Sequence, residues 1–420
     1  MRFSFNQLAY PIAKIAIALS LFVFANTLVA QNTDQTAAKP VAIDGVRVSE
    51  PVVHKNLAVY FLHSDKRDDR EFLTLNDGLK SGMVVVTEKK QEQVSELLIE
   101  NKSDKPLFLQ EGDRVTGGKQ DRTIYTSLVI KPKSGLMKIP TFCVEQSRWR
   151  EGEKGKQFDG NQNQSYATNS VRSASKLSKN QGEVWKQVGR TKEDLQKAIG
   201  NNDKTTSLNE SLDSKKATAS IKPFVGALEN ASGKHNDLVG VAFAIDGELR
   251  EINVYPGNDL VKKVYPRLLE AYAFDAIVDE HQKKTAAAKK PASTKTSSST
   301  KTNLKASVPT SSEVQAMMQT VVDKKADRDE AINKDNRLVI NKSEKASEGQ
   351  RVFRCQTDYK GKAFHLQWLK SEDAPIASGG QSGMQQTYRV QTDNLQTDNS
   401  GYDEPNRQPQ RQNRRDNSRR

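Results

Sequence analysis

Cysteine is scarce in this chain of 420 residues, which contains only Cys143 and Cys355. Two cysteines cannot build a disulfide scaffold, so a hydrophobic core must supply most of the stability. The five histidines never fall at metal-ligand spacing, and neither Cys-x-x-Cys nor His-Glu-x-x-His occurs. We therefore expect neither a metal nor a cofactor. The two cysteines could pair as a disulfide or remain buried thiols.

The chain also lacks a run of about 20 apolar residues, which a membrane-spanning helix needs. Residues 15–25 form an apolar run of only eleven residues, preceded by the basic Arg2 and Lys14. Residues 28–30 (Leu-Val-Ala) then offer a cleavage point. This layout predicts a cleaved signal peptide over residues 1–30, with an uncleaved membrane anchor as the alternative. We expect a secreted or periplasmic protein.

Acidic residues are missing from residues 283–312, a low-complexity stretch that holds seven lysines. Residues 407–420 hold six arginines and one aspartate. With the two basic residues of the signal segment, these stretches carry +14, so the rest of the chain carries −1 of the net +13. The basic charge therefore lies in a linker and a tail. It favours nonspecific contact with anionic surfaces and not specific nucleic-acid recognition.

Short strands are abundant in the first third of the chain. β-Branched and aromatic runs bounded by turn residues occupy residues 56–64 and 82–88. Two strand pairs are predicted over 95–113 and 122–145, and a short helix near 71–80 interrupts the strands. The N-terminal half is therefore expected to be rich in β-structure.

Helices and two hairpins follow. Amphipathic segments predict helices near 180–200 and 258–281. Two apolar runs flank Asp246-Gly247, and two further strands flank Lys360-Gly361, so each pair predicts a β-hairpin. The expected class is α+β: a β-rich N-terminal half, a hairpin-helix unit, and a C-terminal hairpin that completes the same domain.

The expected organisation has six parts. They are the signal peptide, a polar leader over 31–40, a main domain over 41–281, a disordered linker over 283–312, a helix and hairpin over 313–370 that pack on the main domain, and a disordered Gln/Asn/Arg-rich tail over 371–420.

The stretch GDRVTGGKQDR, residues 112–122, nearly matches a phosphate-binding loop. Such a loop needs Gly, four residues, Gly, Lys and then Ser or Thr, but here Gly118 precedes Lys119 and no hydroxyl residue follows the lysine. A strand-like segment also replaces the helix whose N-terminus would face the phosphate. We therefore reject a nucleotide-binding loop and predict a hairpin turn with positive φ at Gly117-Gly118.

Polar residues crowd beside this turn and at the end of the last predicted strand of this region. The candidate ligand-binding residues are Gln120, Arg122, Glu145, Arg148 and Trp149. One interpretation is a partly buried ion-pair network that fixes strand register. The other is a polar pocket in which an arginine binds an anionic small molecule.

Two segments together resemble a known family. PLFLQEGDRVTGGKQDRTIYTSLVI (106–130) followed by IPTFCVEQSRW (139–149) resembles the ARG and rhodanese-phosphatase-superfamily-associated protein domain. The family's first motif matches Gly112, Asp113, Gly117, Gln120 and Arg122, with aspartate where glutamate is usual. Its second motif matches Pro140, Cys143, Glu145, Arg148 and Trp149. The resemblance implies a role near ADP-ribose or nucleotide metabolism, without an established reaction.

Three hypotheses about function follow. We favour a ligand-binding or accessory domain whose pocket is built from the candidate residues above. The alternative is a hydrolytic enzyme in which Asp113 or Glu145 acts as general base and an arginine holds an anionic group. The third is an envelope-associated structural or interaction protein that works through its basic segments.

Overall fold

The computed structural model of the chain describes residues 45–65, 67–68, 70–89, 95–146, 158, 165–289, 307–321, 325–344, 349–372 and 376. The predicted signal peptide and polar leader lie outside these ranges, as do Arg148, Trp149 and all but three residues of the predicted tail.

The N-terminal half of the described chain is built almost entirely of strands. They are β1 (Arg47–Val48), β2 (Val52–His54), β3 (Leu57–His63), β4 (Leu73–Thr74), β5 (Val84–Thr87), β6 (Glu96–Asn101), β7 (Leu107–Leu109), β8 (Arg114–Val115), β9 (Arg122–Ile124), β10 (Leu128–Ile130) and β11 (Leu136–Cys143). One short helix, α1 (Leu75–Lys80), interrupts them, close to the predicted position. The Thr74 side chain caps it by accepting a hydrogen bond from the Asp77 amide.

The rest of the described chain mixes helices and strands. The helices are α2 (Asn169–Ser173), which continues as a π-helical turn (Ala174–Ser178), α3 (Gln181–Ile199), α4 (Leu208–Asp213), α5 (Lys215–Leu228), α6 (Asn258–Lys289) and α7 (Ser311–Gln319). The strands are β12 (Leu238–Ile245), β13 (Glu248–Val254), β14 (Arg328–Ala331), β15 (Asn336–Lys342), β16 (Gln350–Tyr359) and β17 (Lys362–Glu372). This arrangement confirms the predicted α+β class.

The largest sheet joins both ends of the described chain. Its strand order is β1-β3-β12-β13-β17-β16-β15-β14, and β2 also pairs with β3. The β13–β17 pairing places Ile252 opposite Trp368. The C-terminal hairpin therefore returns to the main domain across the linker, as predicted.

Both predicted hairpin turns have the expected backbone. Asp246 and Gly247 have φ of 56° and 85°, and Lys360 and Gly361 have φ of 51° and 74°. Two consecutive positive φ values are typical of the tight turn whose twist matches the flanking strands. Local turn residues thus close both hairpins, and the strand register shifts once beyond each turn, at Phe243/Ala244 and at Thr357/Asp358.

Helices cover both faces of the largest sheet, because alternate residues of a strand point to opposite faces. On one face, Val59 and Phe61 of β3 pack in the core with α6. On the other face, Tyr60 and Leu62 pack in a second core with α7, through Val314 and two methionines.

Two smaller sheets form the rest of the N-terminal half. Their strand orders are β10-β7-β4 and β5-β6-β11-β9-β8. A third core fills the space between them, with Leu97, Ile99, Leu109 and Ile124 among its fully buried members. The motif-bearing strands β8, β9 and β11 therefore lie beside a closed apolar interior.

The helices of the middle region and the linker differ from the prediction. The pattern does not predict α4, a six-residue helix that Ser207 caps through the Glu210 amide. Helix α6 continues to Lys289, so the first seven residues of the predicted linker are helical. This stretch is rich in alanine and lysine, which both favour helix and allow it to extend beyond its packed part.

Candidate functional site

The hairpin turn predicted at Gly117-Gly118 connects β8 and β9. Gly117 and Gly118 have the expected positive φ, 118° and 56°. The Gly117 amide donates to Asp121 Oδ1 at 3.0 Å, and the Lys119 amide donates to Glu88 Oε1 at 2.8 Å. Because carboxylates of the protein already accept these hydrogen bonds, the loop does not offer these two amides to a phosphate.

The described members of the predicted pocket lie together but are closed to solvent. Gln120, Arg122 and Glu145 have exposures of 7%, 0% and 0%. Arg122 Nη1 donates to the Gln120 carbonyl at 2.6 Å, and Nη2 lies 3.6 Å from Glu88 Oε1. The Gln120 side chain donates to the Glu145 carbonyl at 3.0 Å. Their geometry joins β9 to the end of β11, and none of the three lines either cavity described below.

Both cysteines are free, buried thiols, so the disulfide considered from the sequence is not formed. Cys143 ends β11 and donates to Gln120 Oε1 at 3.2 Å. Burial raises the pKa of Cys143 to about 12 and that of Cys355 to about 11. The two strands that carry them belong to different sheets.

Asp113, a predicted candidate base, is also buried and paired. Its side chain is 1% exposed and lies 2.6 Å from Arg267 Nη1 of α6. It also accepts a hydrogen bond from the Gln110 amide at 2.8 Å. Burial raises the pKa of Asp113. This carboxyl therefore ties the first motif to α6 and does not face solvent.

A larger buried network joins the N-terminal half to the largest sheet. Its charged members are Glu111, Arg172, Lys176 and Glu251, each at most 3% exposed. Lys176 Nζ lies 3.0 Å from Glu111 Oε1, and Arg172 Nη2 lies 2.7 Å from Glu251 Oε2. Burial alone would raise the pKa of Glu251, but the Arg172 charge and hydrogen bonds lower it to about 2. Two acids and two bases thus balance each other, as buried charges require.

His365 of β17 completes this network as a neutral side chain. Its ring stacks on Tyr255 at a centroid distance of 4.7 Å. Nδ1 lies 3.0 Å from Ser127 Oγ, and Nε2 lies 3.0 Å from Asn253 Oδ1. Burial lowers the pKa of His365 to about 4. The satisfied ring is a structural group and not a metal ligand.

The glycine that begins the first motif packs against this network. Gly112 has φ of 82°. A Cβ at this position would lie 2.3 Å from Arg172 Cδ. Backbone conformation and close approach therefore both require glycine here.

An open cleft of about 420 Å³ lies beside the buried network. Its walls are α2 with the π-helical turn, α3 and α6, and it reaches β13, β16 and β17. Hydroxyl and carboxamide groups are frequent on these walls, including Ser170, Ser173, Ser178, Gln187, Thr191 and Gln282. A π-helical turn beside a cleft is often found at a functional site.

Asp275 of α6 is the most perturbed carboxyl in this cleft. It accepts a hydrogen bond from the Asn169 amide at 3.2 Å. Burial raises the pKa of Asp275 to about 7, and the nearby Asp279 contributes in the same direction. A carboxyl that titrates near neutral pH can accept or donate a proton under physiological conditions.

Hydrogen bonds connect the cleft to the buried network. The Asn169 side chain donates to the Tyr272 hydroxyl at 3.1 Å, and this hydroxyl donates to Glu251 Oε2 at 2.5 Å. Asn169 therefore holds Asp275 through its backbone and the network through its side chain.

Asp275 was not among the residues predicted from the sequence, although a signal was available. Asp275 interrupts the otherwise apolar residues 271–278. A single acid within an apolar helical run is costly unless it faces a partner or a cavity. Arg172 and Lys176 gave no comparable signal, because charged residues in a short helix are usually on the surface.

Two further properties of the described residues bear on the site. No group of three or more His, Cys, Asp or Glu side chains among them is placed to hold a metal ion. The helices in these ranges are too short or too polar to cross a membrane.

Comparison with known proteins identifies one family. The model of the ARG and Rhodanese-Phosphatase-superfamily-associated Protein domain, ARPP-1, matches residues 45–368. No curated protein and no solved structure matches the chain significantly. The matched range includes both sequence motifs, the buried network and nearly all of the cleft.

Proposed function

We propose that the cleft of this protein, which belongs to the ARG and Rhodanese-Phosphatase-superfamily-associated Protein domain family, binds a small molecule. This ligand is anionic and rich in hydroxyl groups. In this proposal the protein is a binding or accessory domain. The cleft volume of about 420 Å³ lies within the usual range for small-molecule sites. ADP-ribose and nucleotides are the first candidate ligands, because the sequence resemblance implies a role near their metabolism.

Two cations of the cleft carry this proposal. Arg190 of α3 and Lys370 of β17 both line it. Neither has an ion-pair partner within the part of the chain that the structure describes. Unpaired cations beside hydroxyl and carboxamide groups suit a ligand that combines an anionic group with several hydroxyls.

The acids of the cleft, in contrast, are already engaged by protein groups. Asp279 lies 2.7 Å from Arg250, and Glu183 lies 3.2 Å from a lysine of its own helix. Asp194 accepts a hydrogen bond at 3.2 Å from a glutamine of α6. These contacts reduce the repulsion that an anionic ligand would meet.

Thermal unfolding with ADP-ribose, AMP, ribose 5-phosphate and ribose tests the proposal. Phosphorylated ligands should raise Tm more than ribose does. Loss of one charge-assisted contact should weaken Kd by about fivefold or more, so we expect this effect in Arg190→Gln and Lys370→Gln. Lys197→Gln removes a cation from the same helix as Arg190 but outside the cleft, so it should leave Kd unchanged.

Failure of all phosphorylated compounds to bind would refute the anionic ligand. Equal weakening in Lys197→Gln would show that only overall charge matters and that the cleft is not the site.

One observation favours hydrolysis as a second candidate function. Asp275 lies in the cleft with a pKa near 7, which suits a general base. The bases expected from the sequence, Asp113 and Glu145, are 1% and 0% exposed. In this candidate, Asp275 would take the proton from a water molecule that attacks the bound ligand.

The Asp275→Asn variant separates binding from hydrolysis. If the domain is an enzyme, the variant should keep the ligand's Kd and lose turnover of any phosphorylated or glycosidic ligand. If no turnover of a bound ligand occurs in the unaltered protein, the binding function stands alone.

We also propose that the protein acts in the periplasm or outside the cell. The basic and apolar pattern of residues 1–30 supports this compartment. Mass spectrometry of the protein from extracytoplasmic fractions should show Gln31 as the first residue. An intact Met1 in the membrane fraction would support the uncleaved anchor instead.

The basic segments support a nonspecific contact with anionic surfaces. Full-length protein should bind phosphatidylglycerol vesicles at low salt and dissociate as salt is added. Salt-independent binding would contradict an electrostatic contact.

A further inference from the structure

A second cavity, of about 370 Å³, lies between α4, α5 and α6. Its lining combines an apolar inner wall with a charged mouth. Leu212, Ile221 and Phe274 are buried and form the inner wall with Val225. This cavity is distinct from the cleft above, although Leu212 and Phe274 line both.

The charged residues of this cavity are mainly acidic. Among the described residues, Asp213, Glu229 and Glu270 line it together with one base, Lys222. Asp213 is already paired, since Arg114 Nη2 lies 2.7 Å from its Oδ1. The remaining charge favours a cationic ligand over an anionic one.

Glu270 is the acid best placed to hold such a ligand. It is partly buried and makes no hydrogen bond or ion pair with any other described residue. Its neighbour Arg267 is engaged by Asp113 at 2.6 Å. Burial raises the pKa of Glu270, and the charges of Arg267 and Arg114 oppose this shift without forming an ion pair with it.

We propose that this cavity is a binding site for a small organic cation, an amine with an apolar body. The body would pack on Ile221, Val225 and Phe274, and the ammonium group would pair with Glu270. A primary ammonium has three donors, and Glu229, which also lines the cavity, offers a second acceptor. This proposal is independent of the ligand of the cleft.

Gly226 offers a way to fill the cavity without straining the fold. It lies in α5, lines the cavity, and a Cβ there would meet no atom within 4 Å. A leucine at this position should therefore extend into open space. Gly189 of α3 is a matched control, because it is also exposed, helical and free of neighbours within 4 Å, but lines neither cavity.

Calorimetric titration of the full chain with hexylamine, hexan-1-ol and hexanoate tests the site. Hexylamine should bind at least tenfold more tightly than hexan-1-ol, and hexanoate should not bind. Glu270→Gln should weaken hexylamine at least tenfold while leaving hexan-1-ol unchanged. Gly226→Leu should abolish binding of hexylamine, whereas Gly189→Leu should not alter it.

Several results would overturn the proposal. They are equal affinity for hexylamine and hexan-1-ol, full affinity in Glu270→Gln, and equal loss in Gly226→Leu and Gly189→Leu. Circular dichroism of each variant separates loss of the site from loss of the fold.

Discussion

Replacing Asp275 by asparagine should stabilise the folded protein, and the gain over the unaltered protein should be larger at alkaline pH than at acidic pH. The change removes the charge but keeps an oxygen that can accept the hydrogen bond from the Asn169 amide. It therefore isolates the effect of ionising a carboxyl in the cleft.

The pKa of Asp275 sets the direction and the size of this effect. In the folded protein it is about 7, raised from an ordinary value of 3.8. Between these values the unfolded chain has released the proton and the folded protein still holds it, so stability falls as pH rises. The full difference is about 4 kcal/mol, of which about 3 kcal/mol develops between pH 5 and pH 8.

Urea unfolding at pH 5 and pH 8, at constant ionic strength, measures the effect. The gain of Asp275→Asn over the unaltered protein should be about 3 kcal/mol larger at pH 8 than at pH 5. The slope of the free energy of unfolding with urea should not change, because the surface exposed on unfolding is the same.

Asp329→Asn provides a control that should lose about the same stability at pH 5 and pH 8, because its carboxyl is ionised in both states at both pH values. A hydrogen bond from Arg337 lowers the pKa of Asp329, which is 43% exposed. At pH values above the pKa of this carboxyl in the unfolded chain, the carboxylate stabilises the folded protein. At an exposed site this contribution is less than about 1 kcal/mol, and the asparagine variant should lack it. Equal stability differences at both pH values in Asp275→Asn would refute a raised pKa in the cleft.

Three further predictions concern the motifs and the buried network, each measured by equilibrium unfolding. Gly112→Ala should lower the free energy of unfolding by at least about 2 kcal/mol, because Gly112 has a positive φ and lies close to Arg172. Gly135→Ala should lower it by about 1 kcal/mol, because Gly135 has a positive φ but no neighbour within 4 Å. Equal losses would contradict the close approach. Lys176→Met should lower the free energy of unfolding by about 3–5 kcal/mol, because buried Glu111 then keeps only the more distant Arg172, at 3.7 Å, as a counter-charge. Glu111→Gln in the same chain should recover part of this loss; no recovery would refute the pairing. Arg122→Ala should lower the free energy of unfolding by about 3 kcal/mol. In protein that remains folded, it should leave the Kd of the cleft's ligand unchanged. A weaker Kd in folded protein would support the pocket predicted from the sequence.

Both hairpins were predictable because their determinants are local. Asp246-Gly247 and Lys360-Gly361 supply the two positive φ values that a tight turn needs. Alternating apolar residues then decide which face of each strand is buried. The same local chemistry correctly predicted the turn at Gly117-Gly118.

The polar residues of the motifs could be identified from the sequence, but their burial could not. The sequence indicates that Gln120, Arg122 and Glu145 lie near one another. Only the folded chain shows that they are 7%, 0% and 0% exposed. Whether a charged cluster opens to solvent depends on what covers it, and that cover comes from distant segments.

The sequence by itself determined the α+β class, the hairpins and the family. The tertiary structure alone decided which charges are buried and where the cleft lies. Gln367 donates a hydrogen bond to Glu111 across 256 residues, and the cleft assembles residues from 168 to 371. Local backbone preferences act over a few residues, whereas the burial and pairing of charge depend on contacts that only the complete fold creates.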